Sequence, residues 1–238
     1  MEFRTSISET IDGKHLIRGK DVVELISKHS FAEVVFLLLR GDIPVPREAA
    51  LLEAMLVAAM ENGLEAPSIF VPRIVKASGN AFHVALASGM LAIGEHHGGA
   101  GERAAEMFAS GRTAEEVVEE WMKKGMPVPG FGHKIYKNED PRATALHAKA
   151  KELGFACEKF KIAYEVEAEI ERRKGKKIPL NIDGAQAACL LEAGLDWRLG
   201  KAVFLMARIV GMSAHILEET QQNTTFYRLD QKEIRHEA

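Results

Sequence analysis

Cysteine is almost absent from this sequence, with only Cys157 and Cys189 among 238 residues. Two cysteines exclude a disulfide framework of the kind that stabilises small secreted domains, and they favour a reducing compartment. The first residues lack the apolar core of a signal peptide. The longest apolar runs, such as residues 34–39, are much shorter than the roughly 20 residues that span a bilayer. We therefore expect a cytoplasmic protein without a membrane partner.

An excess of charge of either sign is also missing, because the net charge is −3 and the sequence pI is near 6.3. This balance argues against a nucleic-acid partner, which would require a broad basic surface. The one basic run, residues 172–177, is interpreted as the solvated end of a helix. Contact of this run with the phosphates of a ligand is the alternative.

Signals for β-strands are scarce, whereas helix start signals recur along the chain. The predicted starts are Ser30 with Glu33, Thr113 with Glu116, and Asp140 followed by Pro141. The first two have capping-box spacing, and the third combines an N-cap with proline at the first helical position. Residues 81–93 are nearly all apolar or small, which predicts a helix buried on every side. Asp12-Gly13 predicts the turn of one small hairpin. The predicted class is all-α.

Residues 94–102 form the first glycine-rich segment, between the predicted buried helix and the next one. Glycines at a helix start expose backbone N–H groups, which is typical of an anion or oxyanion site. His96 and His97 also invite a metal interpretation. However, adjacent residues rarely bind one ion, and no cysteine or histidine at ligand spacing supports them. We therefore expect no metal, and a purely structural glycine turn is the alternative.

Residues 127–142 form a second segment, which places His133 in a loop stiffened by proline and glycine. Arg142 follows in the first turn of a helix, where the positive end of the helix dipole favours anions. A cation at this position suggests that the arginine binds a carboxylate or phosphate of a ligand. A surface loop with a salt-bridged arginine is the alternative interpretation.

Residues 178–185 form a third segment, in which Asp183 lies among apolar residues just before an apolar helix. An aspartate at this position is often only a helix N-cap. A functional interpretation is a carboxylate base in an apolar pocket, where desolvation would raise its pKa toward a useful value.

Four motifs carry a resemblance to a known family. They are His-Gly-Gly-Ala at residues 97–100, Gly-Phe-Gly-His at 130–133, Asp-Pro-Arg at 140–142 and Asn-Ile-Asp at 181–183. In this combination and order the sequence resembles the citrate synthase family over nearly its whole length. The resemblance implies an all-α, two-domain helical fold. Its large domain would comprise residues 1–100 and 206–238, with a small domain of residues 101–205 inserted.

The resemblance implies a catalytic trio of His97, His133 and Asp183. Asp183 would move the proton on the α-carbon of an acyl-CoA thioester, and His97 would hydrogen-bond the thioester carbonyl to stabilise the enol or enolate. His133 would polarise the keto oxygen of oxaloacetate, or deprotonate the matching alcohol in the reverse direction. A carbanion beside a thioester needs charge stabilisation and a positioned base, so these roles suit the chemistry.

The resemblance also implies ligand contacts and a partner. Arg142, Arg208 and Arg228 would bind substrate carboxylates, with Arg228 contributed across the interface of a homodimer. The residues expected near CoA are Gly130, Phe131, Gly132, Lys134, Lys137 and Asn138. No cofactor is expected beyond the CoA thioester, which is a substrate.

Two departures from the family pattern bear on the reaction. The chain lacks a long helical insertion and, with it, a histidine-rich segment that supplies another substrate-binding histidine. Gly101 also replaces the asparagine that usually follows His-Gly-Gly-Ala. The short form resembles citryl-CoA lyases, which cleave citryl-CoA to acetyl-CoA and oxaloacetate. A minimal citrate or 2-methylcitrate synthase is the alternative, and a non-catalytic protein that binds acyl-CoA is a second one.

Overall fold

The structure is a computed structural model that describes residues 2–237. Within these residues, eleven α-helices, two short 3₁₀ helices (Trp197–Leu199 and Gln231–Glu233) and one small three-stranded sheet account for the regular structure, which confirms the predicted all-α class. The strands are β1 (Ser8–Ile11), β2 (Lys14–Ile17) and β3 (Lys20–Asp21). The helices are α1 (Val22–Lys28), α2 (Phe31–Leu39), α3 (Pro46–Ala59), α4 (Pro67–Ala77), α5 (Phe82–Leu91), α6 (Ala100–Ala109), α7 (Ala114–Lys123), α8 (Pro141–Glu152), α9 (Glu158–Lys174), α10 (Ile182–Glu192) and α11 (Gly200–Gln222).

The chain forms two compact units. Unit 1 comprises Met1–Met55 and Gly101–Gly200, and unit 2 comprises Leu56–Ala100 and Lys201–Ala238. The expected domains have boundaries close to these near residues 100 and 200. They differ for residues 1–55. These residues were expected to share the large domain with residues 56–100, but they belong to unit 1.

The small sheet contains the predicted hairpin. β1 pairs with β2 in antiparallel register, with Ser8 opposite Ile17 and Ile11 opposite Lys14. Asp12 and Gly13 make the turn with φ angles of 50° and 75°. A two-residue hairpin turn requires positive φ at both positions, and Asp-Gly is one of the few pairs that tolerate it.

Local signals set the ends of several helices. α2 begins after Ser30 and α7 after Thr113, and both have the predicted capping box. Asp140 caps α8 through its side chain, with Pro141 at the first helical position. Gly175 ends α9 with a φ of 64°, which confirms that the basic run is a helix end. These ends follow from nearby sequence because a cap satisfies backbone groups within one turn.

Helix α5 corrects the prediction of a helix buried on every side. Only Ala85 and Gly89 are buried along it, whereas Phe82 is 42 % and Leu91 86 % exposed. The prediction is wrong for the single chain because α5 packs on α4 along one face and turns other apolar side chains outward. Apolar composition alone does not specify what covers a helix.

Helix α11, with 23 residues, is the longest helix in the part of the chain that the structure describes. The stretch Trp197–Gln222 is long and apolar enough to cross a membrane by length and composition. However, α11 carries buried Arg208 and Glu219, and both make polar contacts within unit 2. A stripe of buried residues with paired charges is typical of a core helix in a folded domain, and we interpret α11 in that way.

The segments that carry His133 and Asp183 meet through their backbones in unit 1. Phe131 and Leu180 form an isolated antiparallel bridge. The backbone N–H of Asn181 donates to the Gly130 carbonyl at 3.0 Å. A Cβ on Gly184 would lie 2.5 Å from that same Gly130 carbonyl oxygen. The approach is therefore closer than any side chain would permit at residue 184, which explains the glycine.

We expect Gly184→Ala to destabilise the protein, because overpacking a rigid site costs about 1–3 kcal/mol. Alanine is better than glycine in a helix by only about 1 kcal/mol, so the clash dominates. The check is the melting temperature, with Gly101→Ala as the control because its Cβ would meet its nearest atom at 3.9 Å. A Gly184→Ala protein as stable as the Gly101→Ala control would contradict the close contact.

Candidate active site

His133 lies in the loop between the short bridge and α8, and its side chain is half-buried. Its Nδ1 atom accepts hydrogen bonds from the backbone N–H groups of Ile135 at 3.1 Å and Tyr136 at 3.2 Å. A backbone N–H group only donates, so Nδ1 carries no proton and the neutral ring is protonated on Nε2. The ring also stacks on Tyr136, with centroids 4.7 Å apart.

Arg142 lies in the first turn of α8 and approaches His133 from the other side. Its Nη2 atom is 3.3 Å from His133 Nε2. The guanidinium only donates, so Nε2 would accept this contact in the other tautomer; in the tautomer that the two backbone N–H groups select, both atoms carry donor hydrogens. An acceptor oxygen of a ligand placed against this pair would receive hydrogen bonds from both. The geometry therefore favours His133 as a donor to a carbonyl or alkoxide oxygen over His133 as a base.

Asp140 offsets the unfavourable position of Arg142 at a helix start. The Asp140 carboxylate accepts from Arg142 Nε at 3.0 Å and from Nη2 at 2.9 Å. Burial alone would raise the pKa of Asp140, but the hydrogen bonds and charge of Arg142 bring it below the ordinary value. The same hydrogen bonds raise the pKa of Arg142, and the Asp183 carboxylate adds to that shift. Arg142 is therefore salt-bridged, as the alternative interpretation expected, but to a buried carboxylate beside His133.

Asp183 lies in the first turn of α10 and is half-buried. Asn181 caps this helix, because its side-chain oxygen accepts from the backbone N–H groups of Asp183 at 3.0 Å and Gly184 at 3.2 Å. The Asn181 amide nitrogen donates to the Gly132 carbonyl at 2.9 Å. The interpretation of Asp183 as the helix N-cap is therefore wrong, and its carboxylate is not needed for capping.

Phe131 and Gly132, two of the residues expected near CoA, make contacts within unit 1. Phe131 is buried and meets Phe108 edge to face, with ring centroids 6.3 Å apart. Gly132 donates its N–H to the Pro179 carbonyl at 2.7 Å and accepts from the Asn181 side chain at 2.9 Å. The Phe131 side chain and the Gly132 backbone thus make contacts within unit 1, and their expected position near CoA stays a prediction.

The other polar residues of this loop face outward. Lys134, Lys137 and Asn138 are all exposed. Lys137 Nζ donates to the backbone carbonyl of His133 at 3.1 Å, which places a positive charge directly beside the histidine loop. These three side chains have the exposure that contact with an anionic ligand requires.

His97 lies in unit 2 at the end of a tight turn. Gly94 and His97 exchange backbone hydrogen bonds of 2.9 and 3.2 Å. The Nε2 atom of His97 is 2.8 Å from the Ser68 hydroxyl and receives the Ser68 backbone N–H at 3.4 Å. An atom that accepts a backbone N–H carries no proton, so the neutral ring is protonated on Nδ1. Ser68, which is fully buried at the start of α4, thus sets the tautomer of His97.

The surroundings of His97 keep it neutral. Burial is the larger cause that lowers the pKa of His97 below its ordinary value, and the positive charge of Arg208 is the second. Arg208 is buried on α11, where its Nε donates to the Ala59 carbonyl at 3.0 Å. Its guanidinium lies over the ring of Phe204, 4.9 Å from the centroid, and the same ring meets His97 edge to face. His97 and Arg208 therefore belong to one local cluster.

Arg228 lies in the segment after α11, and its guanidinium lies over the Phe226 ring at 4.7 Å. The neighbouring Tyr227 hydroxyl donates to the buried Glu219 carboxylate at 2.9 Å, which fixes this segment on α11. Arg228 also lines a cavity of about 530 Å³ in unit 2, together with Arg73. These contacts place Arg228 at the surface of unit 2.

The predicted residues thus fall into two groups. His133, Arg142 and Asp183 lie in unit 1, and His97, Arg208 and Arg228 lie in unit 2. Sequence reasoning missed two positioning side chains, Ser68 and Asp140. Nothing local marks Ser68, because its partner is 29 residues away in sequence. Asp140 was recognised only as a cap, although an arginine two residues later is a usable signal for a salt bridge.

Residues 42–230 match the sequence profile of the family described as citrate synthase, C-terminal domain. The chain belongs to the citrate synthase family. The match confirms the resemblance that the sequence motifs carried.

Two solved structures of this fold are similar over the whole chain. Citryl-CoA lyase from Hydrogenobacter thermophilus is 40% identical with a TM-score of 0.92, covering 99% of this chain and 94% of that one. ATP citrate lyase from Methanosaeta concilii, in complex with (3S)-citryl-CoA, is 25% identical with a TM-score of 0.88. That match covers 100% of this chain and 42% of the other.

The curated citrate synthase relatives are similar over less of their own length. Citrate synthase 2 of Bacillus subtilis is 30% identical over 212 residues, which are 87% of this chain and 56% of that protein. The chain spans about half the length of the curated relatives it matches. The length difference agrees with the missing insertion noted in the sequence.

We expect Arg208→Gln to raise the pKa of His97 in this family member while leaving it below 6.5, since burial persists after the charge is removed. The measurement is an NMR titration of the His97 ring, with Arg198→Gln as a control for loss of an exposed arginine in unit 1. An unchanged His97 titration in Arg208→Gln would contradict the cluster. Because the unfolded chain protonates first as pH falls through about 6.5, His97 lowers folding stability on acidification.

Proposed function

We propose that this protein is a citryl-CoA lyase, which cleaves citryl-CoA to acetyl-CoA and oxaloacetate. The observation that carries the proposal is the likeness to citryl-CoA lyase from Hydrogenobacter thermophilus, which covers nearly all of both chains. The likeness to ATP citrate lyase in complex with (3S)-citryl-CoA supports the same substrate class. The two local clusters contain the side chains that such a reaction requires.

Cleavage needs the hydroxyl group of citryl-CoA to become a carbonyl while the bond to the α-carbon of the thioester breaks. Negative charge develops on that oxygen as its proton leaves. His133 Nε2 and Arg142 Nη2 lie 3.3 Å apart. Both would donate hydrogen bonds to this oxygen and so stabilise its charge. Preorganised donors of this kind are often the largest single contribution to catalysis.

The electron pair of the broken bond passes to the α-carbon and is delocalised onto the thioester oxygen. His97, protonated on Nδ1 and held at Nε2 by Ser68, would donate a hydrogen bond to that oxygen. Because its pKa is lowered, His97 is neutral near pH 7 and acts as a hydrogen-bond donor without a full positive charge.

Asp183 would complete the reaction by taking up the proton released from the hydroxyl group and delivering it to the α-carbon, which converts the enolate into acetyl-CoA. Its position in the first turn of α10, with Asn181 as the cap, leaves α10 able to form without the Asp183 carboxylate. Arg142 and Arg208 would bind substrate carboxylates. Exposed Lys134 and Lys137 would meet the phosphates of CoA.

The test supplies purified protein with citryl-CoA, and separately with acetyl-CoA plus oxaloacetate, and measures oxaloacetate, citrate and free CoA in parallel. We expect oxaloacetate and acetyl-CoA to form from citryl-CoA faster than citrate and free CoA. Asp183→Asn should lower turnover by about 10²–10⁴-fold with folding intact, since the amide neither gives nor takes the proton.

The other outcomes are also decisive. Rapid release of citrate and free CoA, with little oxaloacetate, would replace the lyase by a minimal synthase, the activity named for the Bacillus subtilis relative. Binding of acyl-CoA without any product would instead identify a non-catalytic binding protein.

We further propose a homodimer with shared active sites. In unit 2, helices α4 and α5 pack together and expose Phe70, Ile74, Phe82 and Leu91. An apolar face of this kind is typical of an interface between copies of a chain. Arg228, at the surface of unit 2, would then reach the site of the partner.

Mixed dimers test this geometry. Combining Arg228→Ala with Asp183→Asn subunits should restore activity, because one site of each heterodimer then has both Asp183 and the partner's Arg228 intact. The check is the turnover of the mixture against each variant alone, with heterodimers quantified by two affinity tags. Heterodimers that form but show no gain in activity would contradict the shared site.

A further inference from the structure

Asp140 makes more contacts than a helix cap requires. Its side chain is fully buried, and each carboxylate oxygen accepts two hydrogen bonds. Oδ1 accepts from the backbone N–H and the Nε atom of Arg142, at 3.1 and 3.0 Å. Oδ2 accepts from Arg142 Nη2 at 2.9 Å and from the backbone N–H of Ile182 at 3.1 Å. One carboxylate therefore joins the Arg142 guanidinium to the first turn of α10.

The chain contains a second copy of this motif that lacks the extra contact. Asp196 caps the short 3₁₀ helix Trp197–Leu199 and accepts from the backbone N–H and Nε of Arg198, at 2.9 and 2.8 Å. Asp196 also pairs with Arg198 Nη2. Both of these residues are exposed. Capping a helix and holding an arginine two residues later therefore require neither burial nor the fourth hydrogen bond.

The fourth hydrogen bond falls beside a functional residue, because Ile182 directly precedes Asp183. We propose that Asp140 is a positioning residue that holds Arg142 and the first turn of α10, and hence Asp183, in one fixed geometry. This inference rests on the proposed function. The Arg142 guanidinium faces His133, and the Asp183 carboxylate acts on the α-carbon. The bond that breaks joins the carbon that bears the hydroxyl group, near His133 and Arg142, to the α-carbon, on which Asp183 acts. The position of Asp183 relative to Arg142 therefore affects the rate.

The chemistry of Asp140 makes this role specific to a carboxylate. A buried charge is tolerated only when it is fully hydrogen-bonded, and four donors provide that. An asparagine amide has one acceptor oxygen and an NH₂ group that only donates. In one orientation the NH₂ group would face Arg142 Nη2 and the Ile182 N–H. In the other it would face the Arg142 backbone N–H and Nε. Either way, two contacts are replaced by opposed donors.

The experiment compares Asp140→Asn with the matched control Asp196→Asn, using citryl-CoA cleavage by the full chain. We expect kcat to fall by about 10²-fold in Asp140→Asn, the usual effect of a displacement near 1 Å, and to stay within twofold of wild type in the control. KM should change less than kcat, because transition-state geometry is what is lost. Asp140→Ser, which retains a helix cap, replaces the asparagine variant if that variant does not fold.

A double-mutant cycle separates positioning from a general loss of structure. In an Arg142→Ala background, Asp140→Asn should cost less than threefold in kcat, because the guanidinium is already gone and the one amide oxygen can still accept the hydrogen bond from the Ile182 N–H. Effects of Asp140→Asn that are equal in both backgrounds would overturn the inference. So would a kcat of Asp140→Asn within twofold of the Asp196→Asn control.

NMR provides a readout that does not depend on turnover. The Arg142 Nε–H signal should exchange slowly in wild type and in Asp196→Asn, and rapidly in Asp140→Asn. A wild-type protein that leaves citryl-CoA intact but shows this pattern would refute the proposed function and retain the positioning role. Slow exchange in all three proteins would overturn the positioning role whatever the activity.

Discussion

The arrangement of unit 1 depends on a backbone contact between the loop that carries His133 and the start of the helix that carries Asp183. Gly130 and Gly184 approach so closely that neither accommodates a side chain without a shift, and the bridge between Phe131 and Leu180 holds the two segments in register. A backbone contact is stiffer than one between flexible side chains. The two groups that act on one small substrate in the proposed reaction are thereby held by main-chain geometry, which is the least variable part of a protein.

In this citrate synthase family member, the hydrogen bonds that each of the two histidine rings accepts determine which ring nitrogen carries the proton. His133 accepts backbone N–H groups at Nδ1, whereas His97 accepts one at Nε2, so the neutral rings are opposite tautomers. Each ring therefore has its N–H donor on the nitrogen that does not accept a backbone hydrogen bond, Nε2 in His133 and Nδ1 in His97. In the proposed reaction, one donor serves the hydroxyl oxygen and the other the thioester oxygen. In that proposal the same residue type takes two roles because the backbone groups around each ring differ.

Much of the fold and the candidate site could be predicted because the signals are local. The Asp-Gly turn, the capping boxes at Ser30 and Thr113, and the cap at Asp140 each concern groups within a few residues. The exposure of α5 could not be predicted, because it depends on which face packs on α4. The buried positions of Phe131 and Ser68 depend equally on residues distant in sequence.

The sequence by itself determined the helical class, the helix ends and, through four short motifs, the family and the chemistry-bearing residue types. Only the tertiary structure decided how those residues are held: that Asn181 caps α10 in place of Asp183, and that Asp140 joins Arg142 to Ile182 across 42 residues. The physical reason is range. A cap or a turn is a balance among neighbouring groups, whereas the geometry of a site depends on contacts between segments that only folding brings together.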